Sequence, residues 1–321
     1  MPKTKLLITD GLSPEGVKML EESGLFEVNF NKAVEKTALL GMIGDYDAIV
    51  IRSATKMSKD LIEAATKMKV IMRAGAGVDN VDVPAATKKD MLVLNCPGVN
   101  NNAVAELTLG FLFGLMREIP RATSGMKQNL WEKKDLVGNE ASGRTIGLLG
   151  FGAIGNLVGK ACHALGMNVI VFDPRGQELS ANPEYKFVKS WPSSMDEIFA
   201  QADVVSLHMP LMDSTKNSIG AAQFSKMKKG SYFINASRGG IASEAALLEA
   251  LNNGTIAGAA LDVFEKEPVE ADNPLVKHPK VICAPHIGAA TKEAQHKVGL
   301  AAAKYLIEYY RDGKAPTAVN K

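Results

Sequence analysis

Three polar side chains follow three apolar runs late in the chain. Arg238 lies in Asn235-Ala-Ser-Arg-Gly-Gly240 after Tyr232–Ile234, Glu267 in the turn Asp262–Pro268 after Ala257–Leu261, and His286 in Pro285-His-Ile-Gly288 after Val281–Ala284. A guanidinium can grip a carboxylate in two-pronged fashion and polarise an adjacent carbonyl. An imidazole can take a hydroxyl proton as hydride leaves and return it in reduction. A carboxylate beside it holds the ring and stabilises the imidazolium, raising its pKa. Singly, each residue has an ordinary reading: a strand-end Arg as a surface ion pair, Glu267 before Pro268 as a solvated turn acid, His286 as a structural histidine. Together at successive strand ends they fit the interconversion of a 2-hydroxy acid and a 2-oxo acid.

That chemistry needs a hydride acceptor, and residues 147–155 offer a place for one. Gly147-Leu-Leu-Gly-Phe-Gly-Ala-Ile-Gly155 follows the strand-like Thr145–Leu149 and opens a helix-like segment from Asn156 to Leu165. Gly150 allows a tight turn, Gly152 lets amides approach a pyrophosphate, and Gly155 lets helix and strand pack closely. The phosphates would rest on the helix N-terminus, where unpaired N–H groups favour anions. Asp173 ends the next apolar run, Val169–Phe172, where it can bind a ribose diol and repel a 2′-phosphate, which favours NAD over NADP. Arg175 nearby is the discordant residue, since an Arg could accommodate that phosphate; the alternative is a solvated loop cation.

These residues need a scaffold, and the alternation of apolar runs indicates one. Lys5–Thr9, Phe26–Phe30, Ala48–Ile51, Val70–Arg73 and Met91–Asn95 read as strands with helical segments between them, including Lys59–Met68. Ser13-Pro14 supplies an N-cap followed by Pro at the first helical position. Pro97-Gly98 breaks the pattern, and Asn102–Met116 reads as a nearly uncharged helix buried between domains or subunits. A second set of strands follows at Thr145–Leu149, Val169–Phe172, Val204–Leu207, Tyr232–Asn235, Ala257–Leu261 and Val281–Ala284. A long helix then runs from beyond Thr291 to about Tyr310. The expected fold is α/β, two doubly wound parallel-sheet domains with a cleft between them. The expected boundaries are 1–98 plus 290–321 for a discontinuous substrate-binding domain of flavodoxin type and 99–289 for a Rossmann domain.

With 321 residues, 46% of them hydrophobic, the chain can fill two cores. Lys+Arg at 37 nearly balance Asp+Glu at 35, so no nucleic-acid or membrane surface is expected. Cys96, Cys162 and Cys283 show no metal-ligand spacing and read as buried thiols of a reducing cytoplasm; no metal is expected. The apolar run Leu6–Thr9 is too short for a signal peptide, and Leu107–Met116 falls short of the ~20 residues that span a bilayer. A cytoplasmic protein is expected.

Gly147–Gly155, Asn235–Gly240, Gly258-Ala-Ala-Leu-Asp-Val-Phe264 and Pro285-His-Ile-Gly-Ala-Ala-Thr-Lys-Glu-Ala294 resemble the D-isomer-specific 2-hydroxyacid dehydrogenase family over essentially the whole chain. The resemblance implies His286 as acid/base, Glu267 as its partner and Arg238 as the substrate carboxylate anchor. It adds Ala153 and Ile154 at the pyrophosphate turn and Met209-Pro210 in the loop after His208. Ala236 starts the Arg loop, Asp262 lies near the nicotinamide carboxamide, and Arg238, His286 and Gly288 also border the cofactor. Within the family, Ile51–Lys56, Arg73–Asp82 and Ala105-Glu106-Leu107 are similar to members that oxidise 3-phospho-D-glycerate to 3-phosphohydroxypyruvate at the start of serine biosynthesis. This implies a phosphate site at Arg52 and Ser53, with Gly75, Ala76 and Asn100 also meeting substrate. Arg52 and Ser53 have an alternative as an exposed ion pair and an N-cap. Val99-Asn100-Asn101 and Ala76 depart from the usual pattern. The resemblance also implies a homodimer, with Lys133 in a region where relatives place a basic residue from the neighbouring subunit; the alternative for Lys133 is an ordinary surface lysine. The regulatory domains that longer members append are not expected, since the chain ends soon after its last helix. Two alternatives stay open: a reductase of glyoxylate, hydroxypyruvate or another small 2-oxo acid, and an NAD-sensing corepressor-like binding protein.

Overall fold

The computed structural model describes residues 2–31 and 35–320, and among these the chain forms two parallel sheets. Strands β1 (Thr4–Ile8), β2 (Phe26–Phe30), β3 (Ala48–Ile51), β4 (Val70–Arg73) and β5 (Leu92–Leu94) build the first, in the order β2-β1-β3-β4-β5. Strands β6 (Thr145–Leu149), β7 (Asn168–Phe172), β8 (Val188–Ser190), β9 (Val204–Leu207), β10 (Ser231–Asn235), β11 (Ile256–Leu261) and β12 (Val281–Cys283) build the second, in the order β12-β11-β10-β9-β6-β7-β8. The residues divide into two compact units, Met1–Asn100 with Ala289–Lys321, and Asn101–Gly288.

In the first unit the strand order is that of a flavodoxin-like sheet. Every residue of β3 is buried, the mark of a strand covered on both faces. One face is covered by helices Pro14–Glu22 and Lys292–Asp312, which bury Leu20, Val298, Ala302 and Leu306 with Leu6, Ile8 and Val50. Ser13 accepts from Gly16 N–H at 3.2 Å, so the expected N-cap forms. The two helices meet through glycines: a Cβ on Gly16 would lie 2.7 Å from the Gly299 carbonyl oxygen, and one on Gly299 would lie 2.2 Å from Ser13 Oγ. After the last helix, Ala318 bridges Leu94 in antiparallel fashion and Asn320 Oδ1 accepts from Val93 N–H at 2.8 Å. The tail thus covers the free edge of β5.

The second unit is the doubly wound order of a dinucleotide-binding sheet with a seventh strand added, every pair parallel. The order reverses between β6 and β9, which opens a crevice at their carboxyl ends. Helix Asn101–Met116 covers part of this sheet, burying Phe111, Leu112, Leu115 and Met116 with Leu148, Ile234 and Ala260. Phe113 on its other side is 36% exposed.

Three expectations need correction. The second sheet has a seventh strand, Val188–Ser190, too short to show a periodicity. The helix begun at Lys59 stops at Ala64, because Lys69 N–H must reach the Asp47 carbonyl (2.8 Å) as the chain enters β4 beside β3. Cys96 and Cys162 are buried, whereas Cys283 is only half-buried. Burial pushes their thiols up, Cys96 to about 11, Cys162 to about 12 and Cys283 to about 11, which leaves them protonated and inert.

The Gly16–Gly299 crossing gives a stability test. Replacing a helical glycine by alanine ordinarily gains up to ~1 kcal/mol, but overpacking against fixed backbone costs ~1–3 kcal/mol. Gly16→Ala is expected to lower stability by about 1–2 kcal/mol in urea titration. A gain would mean that the helices do not meet at this spacing.

Candidate active site

The crevice between β6 and β9 is shaped by glycine. Gly150 has φ of 96°, a left-handed conformation, and a Cβ there would stand 2.7 Å from the His208 carbonyl oxygen. A Cβ on Gly155 would stand 2.4 Å from the Gly150 carbonyl oxygen, so the helix Ala153–Ala164 packs directly on the turn. Gly152 caps that helix without a side chain, and open space surrounds the position its Cβ would take. The first helical amides are therefore left without a side-chain acceptor at a roomy helix N-terminus, a cradle that fits a pyrophosphate. Ala153 is exposed beside it and Ile154 half-buried.

Asp173 does more than the sequence indicates. Its Oδ2 accepts from Phe151 N–H at 2.9 Å, inside the glycine turn, and its Oδ1 accepts from Arg175 N–H at 2.9 Å and from Arg175 Nε at 3.2 Å. Burial alone would raise its pKa, but these hydrogen bonds and the guanidinium charge outweigh that and hold it below the ordinary carboxylate range. Arg175 is thus paired with Asp173 through Nε, while its side chain remains 56% exposed in the loop. Across the crevice, His208 Nε2 lies 3.0 Å from Ser206 Oγ, and burial pushes the ring down to about 4, so it stays neutral. Met209 is buried behind it and Pro210 exposed, its carbonyl accepting from Thr215 Oγ1 at 2.7 Å.

The turns after β10, β11 and β12 bring Arg238, Glu267 and His286 together. His286 Nδ1 lies 2.7 Å from Glu267 Oε2, while Glu267 Oε1 accepts from Phe264 N–H at 3.0 Å. Burial would raise Glu267, but the bonds from His286 and Phe264 and the charges of His286 and Arg238 lower it. The Glu267 hydrogen bond raises the His286 pKa against the opposing effect of burial; the Glu267 and Asp262 charges add to it and the Arg238 charge subtracts. An ionised Glu267 can only accept, so Nδ1 carries the hydrogen and Nε2 is left to exchange a proton.

Asp262 holds this arrangement from below. It is buried, its Oδ1 accepts from Ile287 N–H and its Oδ2 from Gly288 N–H, both at 2.8 Å, and His286 N–H donates to its carbonyl at 2.8 Å. Desolvation raises its pKa against those hydrogen bonds. His286 itself has φ of 54°, an unfavourable conformation for a non-glycine residue that these bonds hold in place. Asn235 plays the same part for Arg238: its Nδ2 donates to the Arg238 carbonyl at 2.9 Å and its Oδ1 accepts from Ser237 N–H at 3.0 Å. Ala236, between them, is buried.

In the first unit Arg52 follows β3. Asp10 Oδ2 accepts from Arg52 N–H at 2.7 Å and Asn80 Nδ2 donates to the Arg52 carbonyl at 2.6 Å. The main chain is braced while the guanidinium makes no hydrogen bond or ion pair among the described residues, and Ser53 is exposed and caps no helix. Arg52 and Lys292 line a cavity of about 880 Å³. Gly75 and Ala76 are tied to the following strand end by Cys96 N–H to the Gly75 carbonyl (2.8 Å) and Asn95 Nδ2 to the Ala76 carbonyl (2.7 Å). Asn100 Oδ1 is a buried acceptor with no partner among the described residues.

A dinucleotide crevice beside an Arg/Glu/His cluster defines a class, and comparison agrees with it. The model of the D-isomer specific 2-hydroxyacid dehydrogenase family, NAD binding domain, matches residues 109–288. The chain belongs to that family, and NAD is the cofactor of its second unit. It is 43% identical to a D-3-phosphoglycerate dehydrogenase of Methanocaldococcus jannaschii over 98% of this chain, and it spans 59% of that relative's length. It is similar to an NAD+-bound 3-phosphoglycerate dehydrogenase of Entamoeba histolytica, at 26% identity and a TM-score of 0.83 over 100% of this chain and 99% of that one. It is also similar to a glyoxylate reductase of Paecilomyes thermophila, at 30% identity and a TM-score of 0.86 over 99% of each chain. Among the described residues no helix is long and apolar enough to cross a membrane.

The His286–Glu267 bond gives a direct test. Glu267→Gln removes the charge that raises the imidazole pKa, so the His286 midpoint in a histidine NMR titration is expected to fall. An unmoved midpoint would show that the bond does not hold the ring in solution.

Proposed function

We infer that this chain oxidises 3-phospho-D-glycerate to 3-phosphohydroxypyruvate. The observation that carries the reading is the Arg238, Glu267 and His286 cluster beside the nucleotide crevice, combined with relatives named D-3-phosphoglycerate dehydrogenase at about 40% identity. NAD, held at the amides of Gly152–Gly155 with its ribose at Asp173, supplies a hydride acceptor when bound. Arg238 binds the substrate carboxylate and polarises the carbon that becomes the carbonyl. His286 Nε2 takes the hydroxyl proton, and Glu267 stabilises the imidazolium that results. Reduction reverses this and requires protonated His286, so the raised pKa extends reduction toward higher pH. On this reading the first unit binds substrate: Arg52 and Ser53 take the phosphate, and Gly75, Ala76 and Asn100, whose Oδ1 has no partner among the described residues, also meet substrate.

The glyoxylate reductase resemblance supports a second reading, a reductase of a small unphosphorylated 2-oxo acid. Arg52 separates the two. A homodimer is also part of the proposal, supported by exposed Ile119, Met126, Leu130, Trp131 and Val137, with Trp131 78% exposed. Sedimentation at the mass of a single chain would remove that part.

A panel of D-2-hydroxy acids with and without phosphate, assayed for NADH formation, tests the function. A charge-assisted phosphate contact contributes roughly 1.5–3 kcal/mol, so Arg52→Ala is expected to cost ~10–150-fold in kcat/KM for 3-phosphoglycerate and little for glycerate. Equal losses on both substrates, or a wild type that prefers glyoxylate or hydroxypyruvate, would favour the second reading.

A further inference from the structure

Two turns of the second unit meet backbone to backbone at a point that neither the cofactor crevice nor the proton-transfer pair explains. A Cβ on Gly239 would stand 1.8 Å from the Phe264 carbonyl oxygen, 2.2 Å from its carbon and 2.9 Å from Glu265 N. The obstacle is main chain, which cannot swing aside as a side chain could, so only glycine fits. Gly239 follows Arg238 in the turn after β10, and Phe264 and Glu265 lie in the turn after β11 that carries Glu267.

The Glu267 turn is tied a second time, to the first residue of the helix that the Arg238 turn leads into. Glu244 N–H donates to Glu265 Oε1 at 2.9 Å, and Glu265 N–H donates to Glu244 Oε1 at 2.6 Å. Glu244 opens helix Glu244–Asn252, so the Glu265 carboxylate receives an amide that no intrahelical carbonyl can reach, where the helix dipole favours negative charge. Asn273 Nδ2 donates to Glu244 Oε2 at 3.0 Å and steadies the other oxygen. Two carboxylates at such a junction repel each other, and each is held by the other residue's N–H. In the same turn Phe264 N–H donates to Glu267 Oε1, so residues 264–265 stand between this double tie and the carboxylate that holds His286.

We propose that Gly239 and the reciprocal Glu244–Glu265 pair are positioning residues that lock the Arg238 turn to the Glu267 turn, and so set Arg238, Glu267 and His286 in one geometry. The inference rests on the proton-transfer reading of those three residues. Loosening the lock frees Glu267 from its place beside His286, whose charged neighbours are Glu267, Asp262 and Arg238.

The test uses the full chain with labelled histidine, His286→Ala assigning its signal among the five histidines. Glu265→Gln keeps an acceptor oxygen and is expected to leave the His286 midpoint and kcat within ~2-fold of wild type. Glu265→Ala should lower the His286 midpoint and cost ~10-fold in kcat, and Gly239→Ala about 10²-fold, the scale of an ångström misplacement, with NAD affinity nearly constant. If Gly239→Ala does not fold, the two Glu265 variants decide. A Glu265→Ala protein with reduced Tm but wild-type midpoint and kcat would overturn the proposal, because the turn would then be structural only. The titration needs no turnover: a wild type inactive on every 2-hydroxy acid whose midpoint still moves in Glu265→Ala loses the functional reading and keeps the lock. An active wild type with an unmoved midpoint loses the lock alone.

Discussion

Parallel pairing is the constraint on which the second unit depends. Because every strand pair there is parallel, the carboxyl ends of all its strands lie on one edge, and each must be followed by a turn that leaves the sheet. Residues far apart in sequence, such as Gly150, Asp173, His208, Arg238, Glu267 and His286, follow such ends. Pairing brings their turns to the same edge; it does not orient the side chains. Orientation comes from acceptors within the turns that are shielded from solvent, Asn235 Oδ1 for the Arg238 turn, Asp262 for the His286 turn and Asp173 for the glycine turn. Each sits at or just beyond a strand end and accepts from at least one backbone N–H of its turn, which trades desolvation for a fixed loop.

The electrostatics follow from that division of labour. Asp262 and Glu267 are both acidic and both act on His286; burial pushes both upward, yet their net shifts run in opposite directions because their partners differ. Asp262 is bonded by neutral amides, and desolvation keeps its pKa raised. Glu267 gains a titratable partner and a nearby guanidinium as well, and its pKa falls. The imidazole that shares a hydrogen with Glu267 rises in turn. One carboxylate therefore positions the loop and the other tunes the ring, and the two roles are separated by the charge of what each contacts.

Much of this was legible in the sequence because it rests on residue types with few alternatives. Glycine at 150 and 155 answers to a left-handed φ and to a backbone contact of 2.4 Å, and the acid and base that follow successive strands in the sequence do meet, Glu267 Oε2 lying 2.7 Å from His286 Nδ1. What stayed hidden was set by tertiary geometry. Strand β8 is three residues at a sheet edge, without room for an alternating pattern. The helix from Lys59 carries helical spacing past its true end, since the demand to enter β4 overrides it. Gly239 reads as one more turn glycine, and what sets it apart from Gly240 beside it, which needs a φ of 75°, is the carbonyl 1.8 Å from its Cβ position.

Asp173 shows why a sequence motif and its structural meaning can diverge without conflict. As a motif it reads out a ribose diol. In the folded unit its side chain is only 8% exposed, bonded to the Phe151 amide inside the glycine turn and paired with Arg175. An acid so placed couples cofactor choice to the shape of the phosphate cradle, because the oxygen that steadies the turn belongs to the group that would oppose a 2′-phosphate. Arg175, which alone would favour that phosphate, has its charge offset by the same carboxylate. On the proposed reading, preference for NAD is a property of the pair: the carboxylate offsets the guanidinium that would favour a phosphate, and removing it would also leave the Phe151 amide of the turn without that acceptor.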